Sequence, residues 1–401
     1  MSETTAATRG LAGIIAVQTR LSHIDGQNSI LVIRGYELAK LAGRVTFEEA
    51  AHLLWTGHLP DPEEAAALRR EIAALRSIPK NIMRVVCDAA KQRALPIDTL
   101  RIACSMLSLD GGHAADDFRV ADVSTAKMLV ARFPTIVAAH TRAVAGYEPI
   151  APCADLSLAA NFLYMVSGKA PDPIAARALD TYWVTMIDHG MNASTFAARV
   201  IASTRSDMVS AVTGAIGALK GPLHGGAPGA VLDMLMALRT ARNTEEWVRS
   251  ELSAGRRIMG FGHRIYKARD PRSEVLAKVA EGMAGAVLHD RKLFDLARNV
   301  EKTVLRVLED VKPGRNLETN VEFYTAPVLQ SLGLPPATFV AMFACGRCAG
   351  WCAHVIEQHA EDHLIRPESQ YIGPRASAVE CSFQSRASRA GVSQGSGRPF
   401  R

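Results

Sequence analysis

The sequence predicts an all-α protein. Apolar residues recur at helical spacing along most of the chain. Capping residues and Asp-Pro pairs open the apolar stretches, and alternating strand patterns are scarce.

In chain order, SILVIRGY is the best strand or hairpin candidate, and it is short. TFEEAAHLL opens with a capping box, Thr46 to Glu49, which can satisfy two orphan N–H groups at a helix start. DPEEAAALRREIAAL has Asp61 as cap and Pro62 at the first helical position, where its missing N–H costs nothing. Its Ala65, Leu68, Ile72 and Leu75 form one apolar stripe. Asp172 and Pro173 repeat that entry ahead of PIAARALDTYWVTMI. RKLFDLARNVEKTVLRVLEDV is apolar at Leu293, Leu296, Val300, Val304 and Leu308, and Lys312-Pro313-Gly314 is its stop signal. AMFACGRCAGWCAHV places Cys345, Cys348 and Cys352 on one helical face, which reads as packing or as a metal site.

The 401 residues suggest two domains, or three. A composition of 48% hydrophobic and 21% charged residues is ordinary for a globular protein. Seven scattered cysteines do not form a secreted disulfide framework. No run approaches eighteen apolar residues, so no membrane span is expected. The opening MSETTAATRG lacks a signal-peptide pattern, so a cytoplasmic location is expected. Formal net charge is +6, but residues 375–401 hold five arginines and one acid and supply +4 of it. The basic balance belongs to the tail and does not mark a nucleic-acid surface. That tail, rich in Ser, Arg, Gly and Ala, is expected to be disordered.

Polar islands interrupt the apolar helices. They are the stretch after Leu21, DHGMNASTFAARV, GPLHGGAPGA, RIMGFGHRIYKARDPRS and NVEFYTAPV, with arginines following in CGRCAGWCAHVIEQ and LIRPESQYIGP. GFGH is not a dinucleotide fingerprint and GPLHGG is not a phosphate loop. No H-E-x-x-H or cysteine–histidine metal spacing appears. Each histidine alone reads as surface or core. Together, three Gly-flanked histidines, a carboxylate and several arginines suit binding a small polycarboxylate and moving a proton at carbon. The arginine fork matches a carboxylate's two oxygens, and a neutral imidazole can donate to a developing enolate oxygen.

These islands resemble citrate synthase, in order and at similar separations, from about Leu21 to Pro374. The resemblance implies a mostly helical homodimer with a large domain (1–222 plus 326–374) and an inserted small domain (223–325). The opening block begins near residue 21, so the simple dimeric type is implied. The implied reaction condenses acetyl-CoA with oxaloacetate and hydrolyses the thioester. No cofactor is permanently bound; acetyl-CoA is a co-substrate.

The resemblance also implies roles. His224 holds the enol of acetyl-CoA, His263 polarises the oxaloacetate carbonyl, and Glu322 is the base. His189, Arg272 and Arg347 bind oxaloacetate, and Arg366 is donated across the dimer. Ile258, Met259, Gly260, Phe261 and Gly262 form the adenine-contacting loop, with Lys267 and Arg315 as phosphate contacts. The family's usual base is Asp; Glu322 carries one more methylene, a displacement of roughly 1 Å that can cost on the order of 100-fold. A slow enzyme is therefore expected. The rivals are 2-methylcitrate synthase using propionyl-CoA, a non-catalytic paralogue binding CoA or dicarboxylates, and a metal protein built on the three cysteines.

Deleting residues 375–401 should leave activity and melting temperature nearly unchanged. A large loss of either, read by thermal denaturation and a CoA-release assay, would show that the tail docks.

Overall fold

The computed structural model describes residues 9–11, 13–110, 118–241, 243–284 and 291–373. The tail from 374 on, the segment expected to be disordered, lies outside them. Contacts divide the chain into two units: residues up to Gln18 with those from Arg366 on, and Thr19–Ile365. In the first unit the described structure includes a 3-10 turn at Arg9–Leu11 and a segment with neither helix nor strand that contains Arg366.

Thr19–Ile365 opens with a small antiparallel sheet of β1 (Ser22–Asp25), β2 (Ile30–Ile33) and β3 (Tyr36–Glu37), in the order β1-β2-β3. SILVIRGY thus forms a hairpin, and Ser22–Asp25 adds a strand that the sequence pattern did not single out. Everything after it among the described residues is helical or loop. The helices are α1 (Leu38–Leu41), α2 (Phe47–Thr56), α3 (Pro62–Leu75), α4 (Lys80–Lys91), α5 (Pro96–Met106), α6 (Phe118–Val144), α7 (Leu158–Ser167) and α8 (Pro173–Met186). They continue as α9 (Ala193–Ala202), α10 (Met208–Leu219), α11 (Ala227–Thr240), α12 (Thr244–Ser253), α13 (Pro271–Ala284), α14 (Arg291–Val311), α15 (Val321–Ser331) and α16 (Phe339–Glu361). The fold is all-α, as the capping and periodicity predict.

The caps act as read. Thr46 and Glu49 close a complete capping box at α2, and Asp61 with Glu64 closes a second one at α3. Asp172 caps α8 ahead of Pro173. Leu293, Val300, Val304 and Leu308 are buried along α14, while Leu296 is only partly so. The cysteine face of α16 is core: Cys345, Cys348 and Cys352 are all buried. Burial pushes the Cys345 and Cys348 thiols well up, so they stay protonated. Among the described residues these cysteines join no group with metal-site geometry.

The segment 336–361 is long and apolar enough to cross a membrane by length and composition, contrary to the expectation from apolar runs. Gly346, Arg347 and Gly350 break its run of apolar letters without making it polar overall. As much as 89% of its apolar window is buried inside the protein, where α16 packs against α6, α8, α9, α10 and α2. It is the central core helix.

Two glycines let α16 approach that closely. A Cβ on Gly350 would meet the Ile187 carbonyl oxygen at 2.2 Å, and one on Gly346 would meet Trp183 and Met186 at about 3.1 Å. Gly350→Ala should therefore force α16 off the end of α8 and destabilise by about 1–3 kcal/mol, the usual cost of overpacking. Gly282→Ala is the control: it lies in α13 with nothing within 4 Å of its missing Cβ, and should gain up to about 1 kcal/mol. Denaturant melts giving equal stabilities for the two variants would contradict this packing.

Candidate active site

The site is assembled from three connections between helices and one helix start. The turn between α8 and α9 carries Asp188 and His189; the loop between α10 and α11 carries His224; the segment before α13 carries His263; and the start of α15 carries Glu322.

One face of α16 organises the first of these. Arg347, Trp351 and His354 lie at helical spacing i, i+4, i+7, so they share a stripe. Arg347 Nε donates to the Met186 carbonyl at 2.7 Å, and Trp351 Nε1 donates to Ser194 Oγ at 3.1 Å. His354 Nε2 sits 3.2 Å from Asp188 Oδ1, while its Nδ1 accepts from Arg199 Nε at 3.0 Å. That acceptance leaves the His354 proton on Nε2, facing the carboxylate. Asp188 is buried, yet its carboxyl is held at about 2: burial raises it, but His354, Arg347 and Ser22 more than offset that.

His224 is held from two sides. Its N–H bonds the Gly221 carbonyl at 2.9 Å, closing the loop on itself. Its Nε2 lies 2.8 Å from Ser194 Oγ. That hydroxyl already accepts from Trp351 and has one proton for two acceptors, His224 Nε2 and Asn192 Oδ1 at 2.7 Å. When the proton goes to His224, the neutral ring carries its own hydrogen on Nδ1. Burial, then Arg347, pushes His224 down to about 4, so it is neutral near pH 7.

His263 has a fixed tautomer. Its Nδ1 accepts from the Ile265 and Tyr266 N–H groups at 3.1 and 3.2 Å, which leaves the ring proton on Nε2. Arg272 Nη2 is 3.5 Å from that Nε2. These are two donors that do not satisfy each other, and both suit one shared oxygen acceptor. Burial, then Arg272, pushes His263 down to about 4. His189 is buried, lies 3.2 Å from the Tyr266 hydroxyl, and has its ring 5.5 Å from that of His263. Burial pushes it well down, and the fields of Arg272, Arg347, His263 and His224 push the same way. That set of neighbours places five of the expected site residues around one point.

Asp270 locks the remaining parts together. It takes Arg272 Nε at 3.0 Å and Nη2 at 2.8 Å, and it accepts the Val321 N–H at 3.2 Å. The start of α13 is thereby tied to the start of α15. The GFG segment completes the clamp. Gly260 O accepts the Asn320 N–H, Gly262 N–H donates to Glu318 O, and Phe261 bridges Thr319. Gly260 has φ +85°, and a Cβ there would meet Phe323 at 2.9 Å, so glycine is required.

Two charged groups of the site, Arg347 and Glu322, each have a buried atom with no hydrogen-bond partner. Arg347 is 1% exposed, with its Nη2 unpartnered and its guanidinium 4.9 Å over the Phe343 ring. Burial lowers it to about 10, so it remains cationic. Glu322, two residues past the Asn320 cap, has its Oε2 buried and unpartnered. Burial raises it to about 7, with Arg272 and Arg347 pulling down and Asp270 pushing up. A carboxylate poised near neutrality, with a free oxygen, is suited to accept a proton.

Some expected residues stand apart. Lys267 and Arg315 are exposed; Lys267 joins the site segment through its N–H to the Gly26 carbonyl, and Arg315 lies in the turn after α14. Ile258 is buried and Met259 half-buried beside the glycine clamp. Arg366 is exposed and belongs to the other unit. Sequence reasoning missed Ser194, Tyr266 and Asp270 as partners. Asp270 was findable, because Asp270-Pro271 repeats the helix-entry pair already seen at Asp61 and Asp172. Ser194 and Tyr266 carry no such signal.

Comparison with known proteins gives a consistent family. The family model "Citrate synthase, C-terminal domain" matches residues 10–368. The chain is 38% identical to the citrate synthase of Haloferax volcanii, with 92% of this chain and 96% of that protein covered. It is also 38% identical to the citrate/2-methylcitrate synthase of Bacillus subtilis, over 91% and 96%. Among solved structures, the Thermoplasma acidophilum citrate synthase in ternary complex with carboxymethyl coenzyme A and oxaloacetate superposes with a TM-score of 0.85 at 28% identity, covering 93% of this chain and 97% of that one.

Glu322 should show in stability. Its folded pKa of about 7 lies above the ordinary 4.5, so its favourable contribution is complete below pH 4.5 and lost as pH rises through 7. Glu322→Gln should match wild type below pH 4.5 and exceed it above pH 7 by on the order of 3 kcal/mol. Urea melts across that window check this; a variant less stable than wild type at pH 8 would contradict it.

Proposed function

The chain belongs to the citrate synthase family of acyltransferases, and on that premise we propose that it condenses acetyl-CoA with oxaloacetate and hydrolyses the citryl thioester to citrate and CoA. The observation carrying this reading is the pairing of a half-buried carboxylate near neutrality, Glu322, with buried arginines and three imidazoles kept neutral around it. A buried guanidinium with an unpartnered Nη2 at Arg347, and the Arg272 Nη2 beside the His263 Nε2–H, suit an anion with more than one carboxylate. A base near neutrality calls for a carbon acid.

In this reading Arg272, Arg347 and His189 bind the oxaloacetate carboxylates. His263 donates its Nε2–H to the ketone oxygen, and the nearby Arg272 Nη2 adds to that polarisation. Glu322 takes a methyl proton from acetyl-CoA. His224 donates a ring N–H to the thioester oxygen as it becomes an enol, with Ser194 supplying the hydrogen bond that fixes the tautomer. The enol carbon attacks the polarised carbonyl, the enol proton returns to His224 as the thioester carbonyl re-forms, and the alkoxide so formed takes the Nε2 proton of His263, which solvent replaces. Water then cleaves the thioester. Donors aimed at developing oxyanions are the main source of rate in such sites. In the thioester cleavage the water oxygen bonds to the acyl carbon, the C–S bond breaks, and the departing CoA thiolate takes up the proton the water releases; acetyl-CoA is the co-substrate and the scheme uses no resident cofactor.

The loop Ile258–Gly262 is proposed to meet the adenine of coenzyme A, with exposed Lys267 and Arg315 available to its phosphates. The segment 223–325 is proposed as the small domain. The enzyme is proposed to be a cytoplasmic homodimer in which Arg366 completes the neighbouring chain's carboxylate clamp. Propionyl-CoA is the competing acyl donor. The B. subtilis relative's name includes both products, and one extra methylene is worth only about 1–3 kcal/mol in a pocket.

CoA release followed with a thiol reagent tests the proposal, using both thioesters. Wild type should turn over, with an acid limb near pH 7 because the base works only when ionised. His224→Ala and Glu322→Gln should each lose at least about 100-fold in kcat. Glu322→Asp should retain activity. Glu322→Gln turning over normally would place the base elsewhere. A wild type inert with both thioesters would leave a binding protein.

A further inference from the structure

A second group of imidazole and carboxylate side chains lies at the turn between α2 and α3. α2 ends at Thr56, and Gly57, at φ +94°, reverses the chain. That reversal brings His58 back over His52, which sits one helical turn before Thr56. Six residues beyond His58, Glu64 occupies the third position of α3, where its Oε2 accepts the Asp61 N–H at 3.0 Å. The capping box therefore holds the Glu64 carboxylate in place and leaves Oε1 directed at His58.

The three donor atoms form a tight triangle. His52 Nε2 and His58 Nε2 are 3.5 Å apart, His58 Nε2 and Glu64 Oε1 are 3.3 Å apart, and all three lie within 4.8 Å of one another. The imidazole rings are 5.0 Å apart and nearly perpendicular, at 82°. A tetrahedral ion with bonds of about 2.0–2.1 Å needs ligand atoms about 3.4 Å apart. Two sides of the triangle already have that length. Lys127 on α6 faces His52 and would oppose a cation, but its ammonium is paired with Glu71 at 2.5 Å.

We propose that His52, His58 and Glu64 form a site for one divalent cation of the zinc class, with solvent completing its coordination. Two imidazoles and one carboxylate are a donor set that suits zinc over magnesium or calcium, which prefer all-oxygen sites. The site is independent of the condensation machinery. Its effect is to clasp α2 to α3 across the Gly57 turn.

Isothermal titration of the full-length protein with Zn2+, and the visible spectrum of a Co2+ complex, test this. Wild type should bind one equivalent with a tetrahedral Co2+ spectrum and a raised melting temperature. Site histidines such as His189 could also take zinc, so the variants are the decisive arm. His58→Ala and Glu64→Gln should each weaken that equivalent by about 100-fold or more, since losing even an outer-shell partner costs 10–100-fold. In Glu64→Gln the amide oxygen can still accept the Asp61 N–H, so the α3 cap survives, and circular dichroism checks folding. Absence of binding in wild type, or wild-type affinity in both variants, overturns the assignment.

Discussion

The contact of α16 with the end of α8 is what the site depends on. Gly346 and Gly350 bring the two backbones close enough that the intervening arginine is wholly buried. Burial leaves Arg347 one backbone carbonyl, at Met186, and no partner for Nη2. One turn later Trp351 reaches Ser194, and one further turn brings His354 to Asp188. The turn bearing His189 is therefore pinned at three points by one helix face. A shift of α16 would disturb all three bonds together, because each is directional and they lie on one helix face.

Charge follows from that geometry. Asp270 offsets the Arg272 guanidinium and Asp188 is hydrogen-bonded to His354, so the positive field over the site comes most of all from buried Arg347, which has no carboxylate hydrogen-bonded to it. The field lowers both kinds of titrating group, whereas burial lowers the imidazoles and raises the carboxylate. Burial first, and the field with it, keeps His189, His224 and His263 neutral, so that each ring donates from one nitrogen and accepts at the other. On Glu322 the field works against burial and stops the carboxylate rising further than about 7. One electrostatic environment thus sets both the donors and the base.

Much of the fold was legible because helix caps and apolar stripes are local. Thr46, Asp61 and Asp172 act where they stand in sequence. The hairpin after Leu21 was only half legible, since β1 has one strongly buried neighbour and no clean alternation. The site residues were legible through resemblance; spacing alone left each histidine ambiguous. What joined them was not: Ser194, Tyr266 and Asp270 act across 30, 77 and 51 residues of sequence. The cysteine face of α16 reads as packing and is buried, and Arg347 was named through the resemblance, but nothing in the sequence showed the polar contacts that Trp351 and His354 make from its stripe. His52, His58 and Glu64 match no familiar metal spacing, because Gly57 and the α3 cap set their approach in space.

The central claim is that the three site imidazoles are neutral and that His263 carries its proton on Nε2. A nitrogen-15 NMR titration of histidine-labelled protein measures this directly. The account predicts that His189, His224 and His263 stay neutral at pH 6, with the His263 Nδ1 resonance at the unprotonated position. An imidazolium at any of the three at that pH, or a His263 proton on Nδ1, would contradict it.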